Sequence, residues 1–392
     1  MSKKEKKKSN EKLLMIVLAF TSFSIGIWAN YRQLWLEEHG FGVVEISKIF
    51  SIALVCSSLI ALLLCFFSGK IKVKNILLLA YTFRNISMCS MLFINDVYWI
   101  KAFMLLCIMC EVIYTIAFYP LLTFEVKTDE SYRKKTTIEY FGKDIGVVSC
   151  GLLLGLSVGR FVFNYNTCLL IALISGVVSL AFLIGYESSE KVHKKASTLM
   201  EQFKDIFHLK VNRIFLYNQL IMNISYGIVF DLMMIILTNF IGFEVAFTSV
   251  FIIVCNMLGT VATTIFNRFS DKLSIGKSSV IKFGIRAVGY IVAFMLNTRI
   301  TFIIAIVIAF ITSRILEDKV TGAFLQIIDE DNQFLYGNIR YFIVSLGEGI
   351  GAFIAGVLLT RSFGFLFLGA AIITIIQTII MLYLDKLKRK FN

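Results

Sequence analysis

The chain has 392 residues, 58% of them hydrophobic, with a positive mean hydropathy and a formal net charge of +13. That leaves too little polar surface to cover a soluble globule of this size, so the chain belongs in a bilayer. The positive charge calls for no nucleic-acid partner, because membrane topology and anionic membrane lipid account for it.

A spanning helix needs about 20 mostly apolar residues. Twelve such segments are predicted, at 13–36, 46–67, 76–94, 100–124, 138–159, 166–186, 214–237, 247–266, 278–296, 300–324, 338–360 and 363–384. With the tail MSKKEKKKSNEK inside, inward-facing segments hold 26 Lys and Arg, and outward loops hold 5: Lys48, Lys101, Arg160, Arg299 and Arg361. This bias places both termini in the cytoplasm. The first apolar run spans a full membrane and lacks a small-residue cleavage pattern, so it reads as a retained helix. An integral protein of a bacterial cytoplasmic membrane, working as a monomer, is the expectation.

A charged side chain at mid-membrane costs about 2.5–3.5 kcal/mol on insertion scales, so each one should face a cavity, a partner or the interface. On the first helix Ser22, Gly26 and Asn30 recur every four residues and share one face, and Arg32 lies near its outer end. On the third, YTFRNIS carries Arg84 about eight residues from the cytoplasmic end, a distance an arginine can largely snorkel. On the fourth, Glu111 is too deep to reach either interface, and Tyr114 lies one turn further along the same side. It is the first-choice functional carboxylate, with an ion pair to another helix as the alternative. The fifth helix carries Glu139, Lys143 and Asp144, of which the first two make an i, i+4 pair suited to gating or structure.

The polar stretch 187–213 separates two halves, with Leu199, Phe203, Ile206 and Phe207 at helical spacing, as in an amphipathic helix on the cytoplasmic membrane face or, the favoured reading, a strut bridging the two bundles. Domains are accordingly predicted at 1–186, a six-helix bundle, 187–213, the linker, and 214–392, a second bundle. On the seventh helix Asn223, Gly227 and Asp231 form another four-residue stripe. Asp271 and Lys272 lie in the loop after the eighth, and Arg286 in the ninth matches Arg84. The tenth offers Arg314, Glu317 and Asp318, spaced so that both acids can touch the arginine. The eleventh offers Arg340 and Glu348, two turns apart on one side.

The halves match at an offset of 200 to 202: Ser24 and Gly26 with Ser225 and Gly227, Asn30 with Asp231, Gly40-Phe41 with Gly242-Phe243, Lys70 with Lys272, and Arg84 with Arg286. Residues 138–155 align with 339–356 at the same offset. Internal repetition of this kind is a mark of transporters.

On these features the chain resembles the major facilitator superfamily over essentially its whole length, which implies an all-α membrane fold of twelve helices in two pseudo-symmetric bundles. The family's loop motif, Gly-x-x-x-Asp-Arg/Lys-x-Gly-Arg/Lys, is kept at Asp271, Lys272, Gly276 and Lys277, whereas Asn267 and Gly69 depart from it. The resemblance implies that helices 1, 4, 7 and 10 line a central cavity and that helices 3 and 9 support it from outside. Arg84 and Arg286 are then anchors or braces. GKDIGVVSCG (142–151) is similar to the antiporter motif of the efflux branch at Gly142, Gly146 and Gly151, with Val147 in place of its proline. YRQLWLEEHGFGVVEISKI and LYGNIRYF look like stretches of sugar–proton symporters.

A carboxylate moved between an apolar setting and an arginine changes its proton affinity, which would couple protons to transport. Glu111, Asp231 and Glu348 have the depth for it. The expected function is a proton-coupled secondary transporter of a small polar or charged organic solute, leaning to efflux. Import of a sugar-like or zwitterionic solute, or flipping of a lipid, are the alternatives. SIGKSS lacks the P-loop spacing, no nucleophile or metal-ligand set is present, and Cys107 and Cys110, one helical turn apart, read as reduced structural thiols. Neither an enzyme nor a bound cofactor is expected; a proton gradient is the energy source.

Overall fold

A computed structural model describes residues 3–67, 71–125, 129–155, 163–187, 204, 207–208, 210–270, 273–315 and 333–391, with the backbone alone at several helix ends. The chain is all helical over these residues. The helices are α1 (Lys3–Glu38), α2 (Val43–Phe67), α3 (Val73–Met91), α4 (Val97–Glu125), α5 (Asp129–Gly155) and α6 (Tyr165–Gly185). The second set is α7 (Lys210–Phe230, continued by Met233–Ile235 and a π-helical turn at Ile236–Phe240), α8 (Val245–Ser270), α9 (Ile275–Leu296), α10 (Arg299–Arg314), α11 (Gln333–Arg361) and α12 (Phe363–Phe391). Among the described residues nine helices are long and apolar enough to cross a bilayer.

Several helices outrun their apolar cores. α1 and α5 begin at Lys3 and Asp129, well before the predicted 13 and 138, because helical hydrogen bonding continues beyond the greasy segment. The remainder of predicted helix 10 and most of the proposed amphipathic linker helix lie outside the described residues.

Two compact units form. One holds Met1–Gly42, Ile52–Lys195 and Glu244–Val250; the other holds Val43–Ser51, Ala196–Phe243 and Phe251–Asn392. In the first, α1 packs along α5 and α6, and α3 along α4 and α6. In the second, α7 packs along α11 and α12, and α9 along α10 and α12. The pairing is the same in each, so the sequence repeat is a structural repeat. Gly40 and Gly242, which follow α1 and α7, even share a left-handed backbone, φ 84° and 82°, that favours glycine.

Glycine contacts correct the alignment of the fifth and eleventh helices. A side chain at Gly26 would overlap the carbonyl of Lys143, and one at Gly227 that of Glu348. Gly142, Gly146 and Gly151 meet Ser22, Phe23 and Ser249; Gly347, Gly351 and Gly356 meet Leu220, Ile224 and Ser47. The two glycine series are therefore equivalent, and α11 is shifted by one turn, about four residues, from the sequence alignment. One turn preserves the glycine-bearing face, which is why the sequence alone mispaired it. Lys143 and Glu348 then occupy matching places with opposite charge.

Candidate functional site

A buried ionic cluster sits inside the first unit, built from three helices. Glu111 lies at the middle of α4 and is 7% exposed. Its Oε2 accepts from Arg32 of α1 at 2.7 Å, and its Oε1 accepts from Arg84 Nε of α3 at 3.1 Å, with Arg84 Nη2 at 3.0 Å. Arg84 Nη1 donates to Ser24 Oγ at 3.0 Å, and Ser24 in turn donates to the Ala172 carbonyl at 2.6 Å. One turn along α4, Tyr114 meets Tyr81 edge-on with ring centroids 4.9 Å apart. Beneath the rings, the hydroxyls of Thr21 and Ser179 lie 2.7 Å apart.

This arrangement revises the snorkelling expected of Arg84. The residue is 2% exposed and lies nearer the C-terminal end of α3, which starts at Val73 and not at 76. A carboxylate one helix away compensates the charge, so the arginine need not reach water. Arg32, expected near an interface, reaches the same carboxylate, and its side chain is 16% exposed. Arg84 is therefore a brace, held by Glu111 and Ser24, whereas Arg32 is the more exposed of the two arginines. Removing the Glu111 charge, by protonation, would weaken both pairs at once. Sequence reading did not anticipate Ser24, Tyr81 or Ser179 in this setting. Their only signal was polarity on faces whose neighbours were unknown.

The second unit keeps the arginine but changes its partner. Arg286 Nε donates to Thr312 Oγ1 at 2.7 Å and Nη2 to the Ala309 carbonyl at 3.4 Å, and the residue is buried. Thr312 stands on α10 where Glu111 stands on α4. Lys282, one turn before Arg286, is also buried; its ammonium donates to the Ile315 carbonyl at 2.5 Å. The sequence reading passed over it.

The first two members of each polar stripe, Ser22 and Gly26 on α1 and Asn223 and Gly227 on α7, lie against neighbouring helices. Gly26 and Gly227 are pressed on α5 and α11, and Asn223 is buried with its amide on the Gln219 carbonyl at 2.6 Å. Asn30 donates to the Gly26 carbonyl at 2.8 Å. Asp231 lies at a turn, where α7 is interrupted. Glu139 and Lys143 form the expected pair at 2.9 Å, and Asp144 is half-buried beside them. Arg340 and Glu348 are both half-buried on α11. Arg314 ends α10 with its side chain outside the description, and Glu317, Asp318, Asp271 and Lys272 lie outside the described residues.

Among the described residues, twelve helices in two repeats of six, with α1–α5–α6 packing echoed by α7–α11–α12, have the fold of the major facilitator superfamily transporters. Among solved structures, a mutant of the nucleoside transporter NupG superposes with a TM-score of 0.72 at 13% identity, over 96% of this chain and 99% of that one. A bacterial homologue of the human lysosomal transporter Spinster, inward-facing and unoccupied, gives 0.69 at 12% identity over 98% of each chain. A bacterial homologue of the human drug peptide transporters PepT1 and PepT2 gives 0.71 at 10% identity, over 98% of this chain and 100% of that one. No protein-family model matches the chain, and no curated protein is similar to it in sequence. The likeness is one of fold.

Proposed function

We propose that the protein is a secondary active transporter that moves a small polar or charged organic solute by alternating access, coupled to protons through Glu111. The observation that carries this is a carboxylate at the middle of α4 held between arginines of two other helices. Ionised, Glu111 holds Arg32. Protonated, it loses the charge that holds Arg32, whose guanidinium is then available to an acceptor on the solute. Proton and solute thus compete through one carboxylate, which is the minimum a coupled carrier needs. Arg84 stays fixed by Ser24 throughout. The fold neighbours, which include nucleoside and peptide transporter relatives, support a solute carrier.

The Gly142–Gly146–Gly151 series, the one export-like feature, recurs as Gly347–Gly351–Gly356 and packs helices in both units. It is a packing device and carries no direction, so the reading commits to coupling and leaves direction to the transport assay.

The test is solute-driven pH change in proteoliposomes for a panel of nucleosides, peptides, sugars and organic acids, with the intact protein, Glu111→Gln and Arg32→Lys. Coupled flux that becomes uncoupled or is lost in Glu111→Gln supports the reading. Flux with no proton movement in any form overturns it.

A further inference from the structure

Asn30 and Asp231 are equivalent by packing as well as by alignment, because each lies four residues after a glycine pressed on a matching carbonyl, Gly26 on Lys143 and Gly227 on Glu348. Their helices differ at this point. Asn30 Nδ2 donates to the Gly26 carbonyl at 2.8 Å, and α1 runs on unbroken to Glu38. α7 stops at Phe230; Leu232 has φ −113° and ψ 21°, outside the helical range, and the helix resumes at Met233. No proline or glycine lies between Ile228 and Ile241, and the break is followed directly by the π-helical turn at Ile236–Phe240, itself a usual companion of a kink. Two things differ between the repeats: α7 has one more residue than α1 between the matched glycines, taken up in its π-helical turn, and at the break itself an amide donates to a carbonyl where an ionised carboxylate cannot. A negative charge at the carbonyl end of a helix is also unfavourable.

We propose that Asp231 is a proton-operated joint in α7. Ionised, it interrupts the helix between Phe230 and Met233. Protonated, its carboxylic acid donates to the Gly227 carbonyl as Asn30 donates to that of Gly26, and α7 becomes continuous like α1. The proton goes to a carboxylate oxygen and nothing else is consumed. The segment that would swing, Met233–Leu237, is buried, so the change would be passed to its neighbours. The joint lies in the second unit and does not depend on Glu111.

The charged groups on surrounding elements set the pH at which the joint works. α11 carries Arg340, Tyr341, Glu348 and Arg361, and the Glu348 backbone carbonyl lies against Gly227. α10, whose Phe310 ring meets Phe230 at 5.0 Å, carries Arg299 and Arg314. α12 has no charged residue between Phe363 and Leu384, and then Asp385 and a basic run.

Hydrogen–deuterium exchange of the intact protein across a pH series, corrected for intrinsic chemical rates, tests this. The amides of residues 232–235 should become about fivefold more protected on acidification, the factor an ordinary hydrogen bond contributes. The matching amides of α1, 31–34, should not change and serve as the internal reference. Asp231→Asn should be protected at every pH, and Asn30→Asp should transfer the pH response to α1. Equal protection of residues 232–235 at all pH values in the unaltered protein overturns the proposal even if a variant fails to fold. So does a break that persists in Asp231→Asn.

Discussion

Replacing Glu111 by methionine should cost more than replacing Arg84, and the two losses should not add. Glu111→Met keeps the volume but leaves two guanidinium groups without the carboxylate that both now share at 2.7–3.1 Å. Arg84, 2% exposed, cannot rehydrate. Breaking a buried pair from one side costs about 3–5 kcal/mol. Arg84→Met leaves Glu111 paired with Arg32, and Ser24 keeps its bond to the Ala172 carbonyl. Its cost should be about 1–3 kcal/mol. In the double variant Arg32 is the one remaining charge of the cluster, and at 16% exposure it can turn toward a polar environment. Coupling of about 1–3 kcal/mol should therefore separate the double variant from the sum of the singles. SDS titration of the purified protein in mixed micelles measures all three. Additivity within about 0.5 kcal/mol, or an Arg84→Met cost equal to that of Glu111→Met, would refute the shared-carboxylate account.

Other substitutions probe the packing. Gly351→Ala should lower stability by about 1–3 kcal/mol, because its methyl would overlap the Ile224 carbonyl; Gly284→Ala, with open space around it, should be neutral or slightly stabilising in the same unfolding assay. Thr312→Ala should cost about 1–3 kcal/mol by removing an acceptor from buried Arg286, while Thr312→Ser should restore most of it; equal losses would show that the hydroxyl is not the acceptor that matters. Asn297 caps α9 in a left-handed conformation at φ 48°. Asn297→Gly should be tolerated, and Asn297→Val should lower stability by about 1–2 kcal/mol; thermal unfolding of the two variants in detergent distinguishes them.

The sequence by itself determined that this chain is a membrane protein of twelve helices in two repeats, and it picked out Glu111, Arg84 and Arg286 as residues to be explained. Those conclusions need only a local quantity, the cost of placing a given side chain in hydrocarbon, summed along the chain. It also matched α1 to α7, because the glycine and the polar four-residue stripe fall in one register and the Gly-Phe turn follows one residue further on in α7, the extra residue lying in its π-helical stretch. Tertiary structure decided the rest. That Arg84 is a brace and Arg32 the accessible partner follows from which helix stands beside which. That the α5 glycines pair with those of α11 one turn further on could not be read from a periodicity that one turn leaves unchanged. That the glycines of the polar stripes on α1 and α7 are helix contacts was hidden for the same reason. A helix shows its faces in its sequence, but what each face meets is settled only by the neighbour packed against it.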